Sequence, residues 1–300
     1  MPRIVKDFKE QKEELPQIGI QYIKRGVSMN TVIYYFSGAG NSLSIALSLA
    51  QKLPDTKVES IMSLYRNAAI PASCEQVGFV YPCYYGHPPK AVTEAVRNIR
   101  LSKQQRIFCV VTFGGFFGQS LIDMKRLLER RTANDIQGFS VRMPGSHILG
   151  YPAFPEFLQR FLLRKAEKKI GKIAAYIQNS TPTRFKNATV LEKLLRSFTG
   201  ESDDKLPNFG QMGTLFYAAG TCNQCGVCSK LCPVNNIRVC SDQIKWGNNC
   251  CQCMACIQWC PQKAVAYPSI PIDRPHYHHP AIGLDQMLAY QKPEGIRGDF

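Results

Sequence analysis

Long hydrophobic runs are missing from this sequence of 300 residues. The longest stretch without a charged side chain, Gly26–Gln51, is interrupted by Ser37–Ser42, a small and polar segment typical of a loop between a strand and a helix. The first thirty residues carry charges throughout, so we expect no secretory signal peptide. The expected protein is therefore soluble and has no membrane span.

Acidic residues are scarce as well. The chain has 22 Asp and Glu against 37 Lys and Arg, which gives a formal net charge of +15. Such a charge can indicate nucleic-acid binding, but here the basic residues are dispersed, and the densest run, Arg164–Lys172, contains Glu167 within an amphipathic pattern. We interpret this run as a solvated helix face able to dock an acidic partner, and we expect no nucleic-acid partner.

Cysteine, by contrast, is abundant. The chain has 13 cysteines, and 10 of them lie within Cys222–Cys260. A secreted chain would use them for disulfides, but without a signal peptide the crowding favours free thiols, which persist in a reducing compartment. A cytoplasmic location is therefore expected.

Short β-branched and aromatic runs alternate with helical patterns in the first part of the chain. We predict five strands, at Thr31–Phe36, Lys57–Ile61, Val77–Tyr81, Ile107–Thr112 and Gly138–Met143. Apolar residues at helical spacing fill the gaps, and a long helix is predicted over Phe157–Ile177. Because the strands are nearly continuously apolar, the pattern predicts an α/β domain with a doubly wound, five-stranded parallel sheet covered on both faces.

We divide the chain into five segments. Residues 1–28 are a charged N-terminal extension, residues 29–179 the α/β domain, and the polar, Pro- and Gly-punctuated residues 180–212 a linker. Residues 213–268 contain most of the cysteines, and residues 269–300 form a C-terminal tail with three of the five histidines. These are His276, His278 and His279, for which a loop packed back on the body is favoured over a metal site.

Eight cysteines form two copies of C-x2-C-x2-C-x3-C-P, and every cysteine recurs 28 residues later. Three thiolates on one tight loop can bind three irons of a 4Fe-4S cubane, whereas the cysteine before the proline ligates the other cluster. The repeat therefore predicts two clusters with crossed ligation. One is bound by Cys222, Cys225, Cys228 and Cys260, and the other by Cys250, Cys253, Cys256 and Cys232.

Structural zinc is the alternative, since paired C-x2-C motifs also hold zinc tetrahedrally. A zinc ribbon needs four ligands and has no use for the third and fourth cysteines of each copy or for the prolines. Cys240 and Cys251 are out of register with the repeat and are interpreted as bystanders.

A glycine-containing loop follows the first predicted strand and opens a helix near Asn41. Small residues let its backbone wrap a phosphate at the helix N-terminus, where hydroxyl and amide side chains add hydrogen bonds. The loop has no lysine, so it is not the P-loop of a nucleotide hydrolase, and Leu43 stands where a dinucleotide fingerprint needs Gly or Ala. The candidate phosphate-binding residues are Ser37, Gly38, Ala39, Gly40, Asn41 and Ser42.

Two further loops, rich in glycine and aromatic residues, follow the third and fourth predicted strands. Ligands bind open α/β sheets at the carboxyl ends of the strands, near the switch point between the first and third, and such loops could hold a flat ring. The candidate residues are Tyr84, Tyr85, Gly86, Gly114 and Gly115. Turns and packing are the simpler alternative for these glycines and tyrosines.

With these three loops, residues 29–179 resemble the flavodoxin-like domain. The resemblance implies the strand order 2-1-3-4-5, with FMN bound by its phosphate at Ser37–Ser42 and by its ring between the other two loops. Together with the cysteine repeat, the whole chain resembles the fusion proteins of anaerobic bacteria that join this domain to a small α+β dicluster ferredoxin.

The resemblance implies intracellular electron transfer to redox protein partners through two 4Fe-4S clusters coupled to FMN. Two alternatives stay open. One is a flavin-dependent reductase of a small substrate, fed by the clusters, and the other is a cluster-bearing docking or sensor protein with no flavin. No nucleophile or proton donor stands out in the sequence, so no catalytic residue is predicted.

Overall fold

Five parallel strands form the central sheet in the order β2-β1-β3-β4-β5. This is the strand order of the flavodoxin-like fold, so the predicted fold of the α/β domain is confirmed, whereas the small ferredoxin domain stays a prediction. The predicted strands are correct to within two residues, except that Ile61 begins a short 3-10 helix, Ile61–Tyr65, instead of ending β2. The strands are Thr31–Tyr35 (β1), Thr56–Ser60 (β2), Gln76–Pro82 (β3), Arg106–Phe113 (β4) and Ile136–Arg142 (β5).

This computed structural model describes residues 31–115, 117–132, 134–183, 185, 208–241, 243–268 and 270–291. The predicted N-terminal extension, most of the predicted linker and the end of the predicted tail lie outside the described residues.

Four helices cover the sheet. They are Asn41–Ala50 (α1), Lys90–Arg97 (α2), Ser120–Glu129 (α3) and Glu156–Gln178 (α4). Alternate residues of a strand point to opposite faces, and β1 shows the result. Val32 and Tyr34 belong to the core that contains residues of α2 and α3, whereas Ile33 and Tyr35 belong to the core that contains residues of α1 and α4.

Short elements make up the rest of the described chain. The helices are Phe209–Gly213 (α5), Val227–Leu231 (α6), Ala255–Gln258 (α7) and Leu284–Gln291 (α8). The strands are Tyr217–Ala218 (β6), Ile237–Val239 (β7), Ile244–Trp246 (β8) and Val265–Ala266 (β9), with β6 antiparallel to β9 and β7 antiparallel to β8.

The cysteine-rich part shares its core with the sheet. Trp259 and Met287 pack in the same apolar cluster as Ile33 and Leu43, and Cys251 joins the cluster on the opposite face of the sheet. The predicted segment boundaries therefore stay predictions. In the described part of the chain, no helix has both the length and the apolar composition that crossing a bilayer requires.

Candidate metal and cofactor sites

The eight repeated cysteines line two separate cavities. Each cavity is lined by three cysteines of one copy and the pre-proline cysteine of the other copy, and crossed ligation of clusters by these groups stays a prediction. The cavity beside Cys222, Cys225, Cys228 and Cys260 has a volume of about 20 Å³. The cavity beside Cys232, Cys250, Cys253 and Cys256 also has a volume of about 20 Å³.

Within each quartet, the thiols are close enough to raise one another's pKa. Burial raises the pKa of Cys228 to about 11, and the charges of Cys260, Cys222 and Cys225 oppose its ionisation further. Burial likewise raises the pKa of Cys232 to about 12, with a further contribution from Cys253. Four thiolates in such a space repel one another, so their ionised form needs a positively charged centre between them.

Backbone groups around the sulfurs follow the 28-residue repeat. The amide of Asn236 donates to Sγ of Cys232 over 3.1 Å, and the amide of Ala264 donates to Sγ of Cys260 over 3.2 Å. These two pairs are equivalent positions of the two copies. Donors of this kind stabilise sulfur that carries negative charge.

The loop conformation repeats as well, because three pairs of equivalent residues have positive φ angles. Gly226 has a φ of 73°, and its equivalent Met254 has a φ of 62° although it carries a side chain. The other pairs are Gln224 with Gln252 and Asn235 with Lys263. The repeat seen in the sequence is therefore also a repeat of backbone structure.

Among the described residues, no group of three or more His, Cys, Asp or Glu side chains is arranged to hold a metal ion. Thiolates that bind one zinc lie about 2.3 Å from it and therefore close together. The quartets do not meet this requirement in the structure, and their binding of iron-sulfur clusters stays a prediction.

The two cysteines predicted to be bystanders differ in position. Cys251 is buried beside the second quartet, and a hydrogen bond with its thiol lowers the pKa of Cys253. Cys240 lies at the end of the β7–β8 hairpin, where its amide donates to the carbonyl of Gln243. Cys251 is therefore nearer to the candidate site than the sequence suggested.

The glycine loop lies at the carboxyl end of β1, as predicted, but its side chains have partners within the protein. Ser42 shares a hydrogen bond of 2.8 Å with Thr112, and both side chains are buried. Asn41 donates to the carbonyl of Pro144 over 2.9 Å and accepts from the hydroxyl of Tyr277 over 2.7 Å. The side chains of Asn41 and Ser42, which were predicted to bind a phosphate, thus form hydrogen bonds with other residues of the protein.

The loop backbone is covered by the C-terminal part of the chain. A Cβ atom at Gly38 would overlap with the carbonyl oxygen of Cys253. The indole of Trp259 donates to the carbonyl of Gly38 over 2.8 Å, and the amide of His279 donates to the carbonyl of Ala39 over 2.8 Å. Phosphate therefore does not fit on this loop in the structure.

The loops predicted to hold the flavin ring are also packed against protein. Tyr84 contacts Phe36 with ring centroids 6.5 Å apart, and burial followed by the charge of Cys253 raises its pKa well above the ordinary value. The hydroxyl of Tyr85 is 3.2 Å from Nε2 of His147.

A Cβ at Gly114 would lie 2.9 Å from the backbone of Gly145, whereas Gly115 faces open space and Gly86 is closely approached by Gly118. The predicted flavin residues thus lie at one sheet edge, where all of them except Gly115 are packed against other parts of the chain.

A larger cavity of about 520 Å³ lies between the start of α2 and residues 248–251. Its wall includes His87 and Asp123, whose Nδ1 and Oδ2 atoms are 2.7 Å apart, and it also includes Cys250. The sequence does not indicate this pair, because the two residues lie 36 positions apart and no short motif joins them.

No family model and no curated protein matches this chain. Several solved structures match about half of it. A flavodoxin from Streptococcus pneumonia is 13% identical, with 50% of this chain and 99% of that chain covered and a TM-score of 0.37. The flavodiiron core from Synechocystis is 14% identical, with 51% of this chain and 37% of that chain covered and a TM-score of 0.33. An FMN-dependent NADH-azoreductase from Bacillus anthracis is 12% identical, with 49% and 98% covered and a TM-score of 0.33.

At these identities, the matches concern the fold alone. Of the flavodiiron core, the chain spans little more than a third. The strand order establishes the flavodoxin-like fold independently of these matches.

Proposed function

We propose that this protein transfers electrons through two 4Fe-4S clusters bound by the two cysteine quartets. The supporting observation is that each cavity joins three cysteines of one loop to the pre-proline cysteine of the other. Crossed ligation is the pattern of two-cluster ferredoxins, and it has no counterpart in a zinc ribbon.

The two quartets differ in their access to solvent, which suggests an order for the electron path. Cys225 of the first quartet is exposed, whereas Cys232 of the second is buried. Cys225 and its quartet would therefore hold the cluster that a redox partner can approach most closely, and the quartet of Cys232 would hold a more shielded one. The basic character of the chain suits an acidic partner, because complementary charge accelerates association.

The predicted FMN is not part of this electron path. The fold is one in which FMN binding is common, but the loop residues that would hold its phosphate are engaged with Thr112, Pro144 and Tyr277. No step of the proposed transfer therefore passes through a flavin.

Metal and sulfide analysis tests the proposal. After purification and iron-sulfur reconstitution without oxygen, we expect about eight irons and about eight acid-labile sulfides per chain. Reduction with dithionite should then bleach the visible absorbance and give the electron paramagnetic resonance signal of two interacting reduced clusters. Purified protein with bound zinc and no labile sulfide would contradict the proposal.

Reduction of a small substrate is a second candidate, favoured by the cavity that Cys250 shares with the His87–Asp123 pair. A substrate there would lie beside the second quartet and next to an imidazole able to exchange a proton. Steady-state turnover of small acceptors with dithionite as electron donor, lost in His87→Gln but retained in Arg160→Gln on the outer face of α4, would support it. Rapid exchange with redox proteins and no such turnover would favour the carrier.

A further inference from the structure

We infer that the glycine loop Ser37–Ser42 is a receptor for the second cysteine loop of the same chain and not a flavin phosphate site. In this arrangement, the loop at the edge of the flavodoxin-like sheet is the surface against which the second cysteine quartet packs. The inference goes beyond the proposed electron transfer, and only its iron measurements rest on that function.

The close approach of Gly38 to Cys253 is the first observation. The peptide carbonyl of Cys253, a member of the second quartet, occupies the volume that any side chain at position 38 would need. Glycine at this position therefore permits contact between two backbones, as glycines in phosphate loops permit contact with a phosphate. Here the group that makes the contact is a peptide of the same chain.

The direction of the hydrogen bonds is the second observation. Trp259 and His279 both donate N–H groups to loop carbonyl oxygens, those of Gly38 and Ala39. A phosphate carries only acceptors at neutral pH and cannot replace an N–H donor to a carbonyl. The carbonyl oxygens of the loop therefore bind N–H donors of the chain, which a phosphate cannot provide.

The apolar cover of the loop is the third observation. Ile282 lies against Gly40, where a Cβ would come within 3.3 Å of its side chain. Ile282, Met287 and Trp259 all belong to the core on the α1 side of the sheet, and each is almost fully buried. Binding a phosphate would require these side chains to move away. That movement would expose three large apolar side chains and break the hydrogen bonds that Trp259 and His279 donate to the loop.

Flavin and iron assays on the whole chain test the inference. We expect the wild-type protein, purified in the presence of excess FMN and then desalted, to release less than about 0.1 FMN per chain on denaturation while holding about eight irons. Release of about one FMN per chain would overturn the inference even if all eight irons are present.

Gly38→Ala is the matching variant, and Gly171→Ala is its control. The added methyl group at position 38 collides with the Cys253 backbone, so iron should fall from about eight to about four as the second quartet is displaced. Gly171 lies in α4 with open space around it, and its variant should keep about eight irons. Retention of eight irons by Gly38→Ala would refute the receptor role.

Hydrogen exchange provides a readout that does not depend on metal or on the folding of that variant. In the wild type, the amide of His279 is bonded to Ala39 and should be protected from exchange. In Trp259→Phe, which keeps an aromatic side chain but removes one donor to the loop, exchange of this amide should accelerate at least about tenfold through local opening. Unchanged protection of His279 in Trp259→Phe would count against the inference, and loss of labile sulfide from the wild type would count against the electron-transfer proposal alone.

Discussion

The indole nitrogen of Trp259 donates a hydrogen bond of 2.8 Å to the carbonyl oxygen of Gly38, and this contact joins residues 221 positions apart. Trp259 immediately precedes a cysteine of the first quartet, whereas Gly38 lies in the loop at the end of β1. The bond therefore ties the cysteine repeat directly to the edge of the flavodoxin-like sheet.

Trp259→Phe should destabilise the protein by at least about 1–2 kcal/mol, because the carbonyl of Gly38 loses its donor and the smaller phenyl ring leaves a void at a buried site. Denaturant unfolding monitored by circular dichroism measures the change. Tyr176→Phe is the control, since this side chain is exposed on α4 and its variant should stay within about 0.5 kcal/mol of the wild type. Equal stability of the two variants would mean that the hydrogen bond of Trp259 contributes nothing to the free energy of unfolding.

Cys232→Ser should damage the cluster proposed for the second loop, because Cys232 lines the cavity of Cys250, Cys253 and Cys256. Iron should fall from about eight to about four per chain after reconstitution. Cys240→Ser should keep all the iron, since Cys240 lines neither cysteine cavity. Two intact clusters in Cys232→Ser would disprove the crossed ligation.

Stability should depend on pH through His279. Burial lowers the pKa of His279 to about 4, with a smaller contribution from the charge of His278. The unfolded chain binds a proton near pH 6.5 and the folded chain only near pH 4, so stability is fully present above pH 6.5 and falls as the pH drops toward 4. The loss attributable to His279 is at most about 3 kcal/mol.

Unfolding free energies measured between pH 7 and pH 4 check this dependence. His279→Asn removes the titrating group but can keep the acceptor that receives the amide of Ala281. Its stability should therefore fall less steeply over the same range than that of the wild type. Parallel pH profiles for the two proteins would show that His279 is not the group responsible.

Lys263→Gly should stabilise the protein by about 0.5–1 kcal/mol. Lys263 is exposed and has a φ of 47°, a left-handed conformation that glycine adopts without steric cost. The same change at Lys230, in the last turn of α6, should have the opposite sign, because glycine weakens a helix. Thermal unfolding of the two variants gives the comparison, and the same sign for both would exclude the conformational explanation.

The sequence was sufficient to predict the elements of local structure. Apolar runs such as Val77–Tyr81 placed all five strands, because parallel strands buried on both faces leave a continuous apolar pattern. The grouping of the eight cysteines along two cavities agrees with their spacing in the sequence, whereas the two clusters stay a prediction. Ile61 was misplaced by the same reasoning, since an apolar residue at the end of a strand does not reveal that a 3-10 turn begins there.

The sequence did not indicate what fills the edge of the sheet. The loop Ser37–Ser42 has the composition of a phosphate loop, and nothing near it in the sequence shows that Cys253 and His279 lie on it. A pairing of segments more than 200 residues apart depends on how the whole chain packs. The His87–Asp123 pair was missed for a related reason, because neither residue belongs to a motif.

The unequal exposure of Cys225 and Cys232 affects how the protein is oxidised in air. With the two proposed clusters bound, dioxygen and peroxide would reach the one at Cys225 first, while the polypeptide would shield the one at Cys232. Handling in air should therefore give a form that has lost the cluster proposed at Cys225 and kept the one proposed at Cys232. Partly bleached preparations should consist mainly of this one form.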